Sequence, residues 1–348
     1  MTSGLLLQNL GVLAGAVALA GLTAWLTARI RSYALARGMQ DVPNERSSHT
    51  TPTPRGGGAS IVAVSLISLA GIAVWTRDWR WPVALGGGGI VVAMTGWLDD
   101  VRGLRARTRL LAHFGAAGIS LAVIRDQLVI PLPPHLLVVG GIALVLAALY
   151  LVWSINSYNF MDGIDGIAAS ECCTVVIVLG PLAEHAGQRS LALFCAVLAS
   201  ACLGFLALNW QPARIFMGDV CSGFLGFLLA LMGLWGQASG SVPLTATLIL
   251  TGVFVVDATY TLFRRLLAGE RVYQAHRDHA YQHATQRGWS HARVSAAVIA
   301  INLAWLGPLA ILATARPEWG WPLLGLAYVP LLVVAIWLRA GQRRASAL

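Results

Sequence analysis

An all-α polytopic membrane protein, with about eleven transmembrane helices or ten, is the fold the sequence predicts, and three observations predict it. Of 348 residues, 57% are hydrophobic and only 11% charged, more apolar surface than a soluble domain could hide. The apolar residues form near-unbroken runs instead of alternating with polar ones, which favours helices over a β-barrel. Most of the fifteen carboxylates lie in loops on one expected face of the membrane. Charge is expensive near hydrocarbon, so acids gathered beside spans mark a site.

The first span, 5–27, lacks a basic start and is longer than a signal-peptide core, so it reads as a retained helix. The second, 57–75, follows a Pro- and Gly-rich loop. The third, 82–98, contains Gly86-Gly87-Gly88-Gly89, small residues that let helices approach closely. Then come 109–125, 137–154, 168–183, 190–208 and 222–236. The ninth span, 242–263, runs into Arg264-Arg265, and 292–314 and 321–338 complete the set. At roughly 20 residues each, these spans leave no room for a soluble domain. Residues 1–348 form one integral membrane domain, with polar loops at 28–56, 99–108, 155–167, 209–221 and 264–291.

Sidedness follows from the arginines. The net charge is +9 and there is no Lys. Of 24 arginines, only Arg77, Arg80, Arg125, Arg189 and Arg316 fall on one face. The positive-inside rule then puts the N-terminus outside and the C-terminus in the cytoplasm. Every polar motif falls on the cytoplasmic side, although only arginines set the orientation. Arginines split among membrane loops do not make a nucleic-acid surface. Cys172, Cys173, Cys195, Cys202 and Cys221 lack metal-site spacing and read as reduced, packed thiols. No internal repeat is visible, which removes the inverted-repeat mark of many transporters.

Five stretches carry chemistry. The loop from Asp41 to Gly58 is stiffened by Pro43, Pro52 and Pro54 and opened by Gly56-Gly57-Gly58, so backbone can approach a ligand. Arg46, His49 and Arg55 there suit phosphate; an ordinary positive-inside loop explains the arginines but not the Pro/Gly framing. Asp99-Asp100 ends the third span, where the helix dipole disfavours acids. A solvated pair, a metal ligand and a proton acceptor for an attacking phosphate all fit. From Asn156 to Gly166, Asn156 and Asn159 share the i, i+3 spacing of Asp162 and Asp165, in turns that aim oxygens at one place. The stretch lacks the closing Glu of a calcium loop. Asp219, after Phe216-Met217-Gly218, fits a helix start or a ligand. In the last loop, His276, His279 and His283 share one helical face if the stretch is helical. With Arg277 they suit a nucleotide diphosphate better than zinc, since no Cys or acid completes a tetrahedron. Asp257, inside the ninth span, is expected to pair with Arg264 or Arg265. Acids and amides beside Gly-rich backbone suit Mg²⁺ holding phosphates.

These stretches, in this order, resemble the polyprenyl-phosphate N-acetylhexosamine-1-phosphate transferase superfamily (glycosyl transferase family 4), closest to the bacterial branch that initiates O-antigen and common-antigen glycans. The resemblance covers about residues 29–290. It implies attack of undecaprenyl phosphate on the β-phosphate of a UDP-N-acetylhexosamine, with release of UMP and formation of a lipid-linked sugar pyrophosphate. It implies a Mg²⁺ cofactor, with Mn²⁺ as substitute, at Asn159 and Asp219. Asp99 or Asp100 would position the lipid phosphate or accept its proton. Asp162 and Asp165 would shape the uridine–phosphate pocket, with Asn156 beside them. Arg46, His49, Arg55, His276, Arg277 and His279 would hold phosphates. The bilayer is a partner, and a homodimer is expected by the same resemblance.

Two departures bear on this. Cys221 stands where the family commonly has Gly, which argues against tight backbone approach there. The last loop lacks the His triplet of the peptidoglycan branch, which makes phospho-MurNAc-pentapeptide transfer a poor fit, kept as the alternative within the family. Outside it, the alternatives are a secondary transporter, which places its ionisable groups at mid-bilayer, and an inactive scaffold.

Overall fold

The computed structural model describes residues 2–43, 51–133, 136–270 and 276–342. Fourteen helices form one bundle: α1 (Thr2–Ala36), α2 (Ala59–Thr76), α3 (Arg80–Arg102), α4 (Ala106–Ile124), α5 (Gly140–Met161), α6 (Ile167–His185), α7 (Arg189–Asn209), α8 (Asp219–Ala238), α9 (Leu244–Leu250), α10 (Gly252–Leu267), α11 (Ala280–Gln286), α12 (His291–Ile301), α13 (Gly307–Ala315) and α14 (Gly320–Trp337). Two small antiparallel hairpins, β1 (Gln40–Asp41) with β2 (Thr53–Pro54) and β3 (Ile130–Leu132) with β4 (Leu136–Val138), cover opposite ends.

Among the described residues, nine helical stretches are long and apolar enough to cross a bilayer, and ten if α9 and α10 form one span. A π turn, Asn302–Leu306, joins α12 and α13 into one of them. α9 and α10 meet at 75°. The remaining expected span, 109–125, is α4, whose apolar stretch is shortened by Arg107 and Arg109 in its first turn. It still returns along the whole of α3: Ser120 Oγ donates to the Ala84 carbonyl at 2.6 Å near one end, and Arg109 meets Asp99 at the other. α4 therefore packs along α3 over most of its length, while the stretches long and apolar enough to span number nine or ten among the described residues, against the eleven or ten expected.

α8 is the axis of the bundle. It is almost wholly buried, against α3 and α5 above all. Glycines permit this contact. A Cβ at Gly96 of α3 would fall 2.0 Å from the Asp219 carbonyl, and one at Gly89 2.8 Å from Phe224. Of the glycine run, Gly88 and Gly89 do this packing, while Gly86 faces open space. Because α8 is central, its first residue, Asp219, lies where α3, α4 and α5 converge.

Candidate functional site

α3 continues to Arg102 and α5 to Met161, so Asp99, Asp100, Asn156 and Asn159 stand on helices; the sequence reading ended those helices at 98 and 154 and put all four residues in loops. The polar side chains cost little there, because they face the interior of the bundle. α3 stops at Gly103, whose φ of 65° carries the chain out of the helix while its N–H donates to the Asp99 carbonyl at 2.9 Å. The chain then folds back into α4. At the same end, backbone pairing joins the loop after β2 to the loop before α8: Phe216 N–H to the Pro54 carbonyl, Gly57 to Phe216 and Gly58 to Met217.

These connections gather the acids. The Asn159 Nδ2 donates to Asp219 Oδ1 at 2.8 Å and to Ser222 Oγ at 2.9 Å. The Asp99 and Asp219 carboxyls flank the same Arg109 guanidinium. Arg109 Nη1 lies 2.5 Å from Asp99 Oδ2 and 3.8 Å from Asp219 Oδ2. Asp99, Arg109, His113, Asn156, Asn159, Phe160 and Asp219 line one cleft. Asp100 points elsewhere. Its two oxygens accept the Asp219 and Val220 N–H groups, each at 3.1 Å, which caps α8. Arg55 donates to the Asp100 carbonyl. Gly218, with φ 81°, leaves no room for a Cβ, which would fall 2.7 Å from Asp100 Oδ2. Cys221 does not obstruct the site: its Cβ packs into the space that Gly58 leaves open. All five cysteines are free and buried.

Asp162 follows directly after α5. Among the described residues no group donates to its carboxyl. Burial, reinforced by the Asp219, Asp100 and Asp165 charges, pushes it up to about 8. Among the described residues no three His, Cys, Asp or Glu side chains form a metal cage. The donor set is two carboxylates and an amide beside a crowded, acid-rich loop. That set fits Mg²⁺, which takes one or two carboxylates and completes its shell with phosphates and water.

Asp165 stands apart from the cleft. Its Oδ2 accepts the Ala213 N–H at 3.1 Å and its Oδ1 lies 3.3 Å from His291 Nδ1 on α12. Beside it, Asn209 Oδ1 accepts the Gly166 N–H at 3.0 Å and Asn209 Nδ2 donates to the Ile215 carbonyl at 2.9 Å.

The histidines divide differently from one helical face, because α11 begins only at Ala280, leaving His276 and His279 before it and His283 within it. Asp257 does not pair with Arg264 or Arg265. It accepts the Ala280 and Tyr281 N–H groups at 2.9 and 3.2 Å, with His279 Nδ1 at 3.4 Å, because the first N–H groups of α11 point at it and the helix start favours an anion. Arg265 holds Glu270 and Asp278 instead. His276 packs against His279, with ring centroids 4.9 Å apart. Burial, then the His279 and Arg265 charges, pushes His276 down to about 3. Arg277 lies between the two histidines in the same loop. Tyr281 joins the cluster to the cleft: its hydroxyl donates to the Phe160 carbonyl at 3.0 Å and sits where a Cβ of Gly163 would fall. Arg46 and His49 lie outside the described residues.

The sequence reading missed Arg109, His113, Asn209, Ser222, Tyr281 and His291 as site residues. Arg109 carried a signal, since a tight return after Gly103 sets a residue ten positions on opposite Asp99. The others become visible only in three dimensions.

A family model described as glycosyl transferase family 4 matches residues 82–237, the part that carries Asp99, Asn159 and Asp219. A probable undecaprenyl-phosphate N-acetylglucosaminyl 1-phosphate transferase of Bacillus subtilis is 30% identical over 79% of this chain and 77% of its own length. A decaprenyl-phosphate N-acetylglucosaminephosphotransferase of Mycolicibacterium smegmatis is 31% identical over 92% and 88%. A phospho-N-acetylmuramoyl-pentapeptide-transferase of Clostridium kluyveri is 31% identical over 70% and 79%. These relatives extend the match well beyond the cleft helices, and with them the chain belongs to the polyprenyl-phosphate N-acetylhexosamine-1-phosphate transferase superfamily, glycosyl transferase family 4.

Proposed function

We propose that the protein transfers N-acetylglucosamine 1-phosphate from UDP-N-acetylglucosamine to undecaprenyl phosphate in the bacterial inner membrane, releasing UMP on the cytoplasmic side. The product would begin a cell-surface glycan such as O-antigen. One observation carries the reading: Asp99, Asn159 and Asp219, from three separate stretches, meet in one cleft at one end of the bundle. Bound there by Asn159 and Asp219, Mg²⁺, or Mn²⁺ in its place, would offset the repulsion between donor and acceptor phosphates. Asp99, which lines the cleft, would position the acceptor phosphate; Asp100, turned to the α8 backbone, would hold the cleft's shape. Asp162 would shape the uridine side, and Asp165, bound to the Ala213 N–H and beside His291, would hold the loop behind it. Arg55 and Arg277 would hold phosphates, as would His276 and His279; Arg46 and His49 are assigned the same role from the sequence alone. Two relatives named for N-acetylglucosamine support that donor over the pentapeptide one. Acids gathered at one end, not at mid-span, favour an enzyme over a transporter.

The test uses full-length protein in detergent with undecaprenyl phosphate, Mg²⁺ and, separately, UDP-GlcNAc, UDP-GalNAc and UDP-MurNAc-pentapeptide. UDP-GlcNAc should release UMP and form the lipid pyrophosphate, with loss of both on chelation or Asp219→Asn. Turnover of the pentapeptide donor alone would move the chain to the peptidoglycan branch. Absence of UMP with every donor would end the transferase reading.

A further inference from the structure

The cleft does not end at the acids. Each of four helices contributes residues about one turn deeper than its charged or amide residue: Thr95 and Gly96 below Asp99 on α3, with Val92 a turn further, His113 beyond Arg109 on α4, Ile155 and Asn156 before Asn159 on α5, and Gly223 after Asp219 on α8. Four residues of helix are about 6 Å of depth. Because α4 runs back along α3 toward Ser120 and Ala84, this deeper layer lies on the bilayer side of the acids. The cleft as a whole, acids and deeper layer together, encloses a void of ≈ 30 Å³.

Three polar side chains occupy that layer. Thr95 Oγ1 bonds the Val91 carbonyl at 2.7 Å, and Asn156 Nδ2 bonds the Val152 carbonyl at 2.7 Å. His113 is different. It is 8% exposed, lines the cleft, and its Nδ1 has no partner among the described residues. A buried polar group left unpaired costs free energy, and a ligand that pairs with it recovers that cost.

Resting on the transferase reading above, we propose that His113 is a binding residue for the phosphate of the lipid acceptor, donating a ring N–H to a phosphate oxygen that enters the cleft from its bilayer side. A nucleotide sugar is water-soluble and reaches the acids from the aqueous end. The acceptor's phosphate is tied to a chain buried in hydrocarbon and must arrive from the layer where His113 sits. Arg109, one turn nearer the solvent, draws the anion toward Asp99 and Asp219.

The experiment measures binding to full-length protein in detergent of undecaprenyl phosphate, undecaprenol and UDP-GlcNAc, for the wild type, His113→Ala and His113→Gln. Loss of a hydrogen bond to a charged group should weaken undecaprenyl phosphate about tenfold in His113→Ala. Undecaprenol and UDP-GlcNAc should bind as before, and His113→Gln, which keeps an N–H donor, should regain most of the loss. Should His113→Ala fail to fold, His113→Met, similar in size and without a donor, replaces it. The proposal is overturned if the donor-free variant binds undecaprenyl phosphate like the wild type, or weakens undecaprenol or UDP-GlcNAc equally. It is also overturned if equimolar inorganic phosphate displaces the lipid, which would make this a site for any anion. Selective loss of undecaprenyl phosphate binding in a protein that transfers no sugar would end the transferase reading and leave the role of His113 standing.

Discussion

Two adjacent acids, Asp99 and Asp100, have different surroundings, and the difference predicts different phenotypes. Asp100 accepts two backbone N–H groups at the start of α8. Asparagine there retains one acceptor oxygen and turns an amide toward the other donor. Asp100→Asn should therefore lower stability by about 1–3 kcal/mol, read as a lower Tm in detergent. Asp99 faces the cleft and the Asp219 carboxyl; its Oδ2 pairs with Arg109, and its Oδ1 accepts the Leu104 N–H at 2.6 Å in the turn after α3. Asparagine there keeps an oxygen for that single N–H, and loss of the charge relieves repulsion with Asp219, which offsets part of the lost pairing with Arg109. Asp99→Asn should therefore lower Tm less than Asp100→Asn while UMP release falls by at least about a hundredfold. Equal Tm losses in the two variants would refute the division. The sequence alone left the two acids equivalent, because only the tertiary contact with α8 tells them apart.

At the scale of elements, the apolar runs made the helices legible, since hydrocarbon demands them. Their ends were less legible. Asn156 to Met161 is polar enough to resemble a loop, yet the helix continues because Gly223 and Gly226 of α8 leave space for Ile155, Ser154 and Tyr158. The partner of Asp257 was misassigned for the same reason: sequence spacing offers Arg264 and Arg265, whereas folding supplies the start of α11. The loop into α11 carries its own prediction. Its His276 is held near 3, below its ordinary value of 6.5, by burial and by the His279 and Arg265 charges, against a smaller opposing pull from Asp257. The unfolded chain therefore takes up a proton that the native protein refuses. Stability is full above about 6.5 and falls as the pH drops from there toward 3. Between pH 7 and pH 5 the wild type should lose more Tm than His276→Asn; parallel losses would show that His276 is not the responsible group.

Across the whole molecule, the central placement of α8 brings Asp219 to the same end of the bundle as Asp99, Asn159, Asp162 and the α11 loop. The opposite end carries the β3–β4 hairpin and the turns bearing Arg77, Arg125, Arg189 and Arg316. That asymmetry was legible in the sequence, because arginine counts and acid positions selected the same face independently. It gives the transferase reading a vectorial consequence. UDP-N-acetylglucosamine is charged and does not cross a sealed bilayer. Vesicles with the cytoplasmic face outward should release UMP from added donor at once. Sealed vesicles of the opposite orientation should release it only after permeabilisation with detergent. Equal release from both before detergent would mean leaky vesicles or mixed insertion, and protease removal of a C-terminal tag separates those cases. Release from the opposite orientation alone would put the acids outside the cell, where cytoplasmic nucleotide sugars do not reach, and would overturn the arginine-based orientation together with the proposed supply of donor.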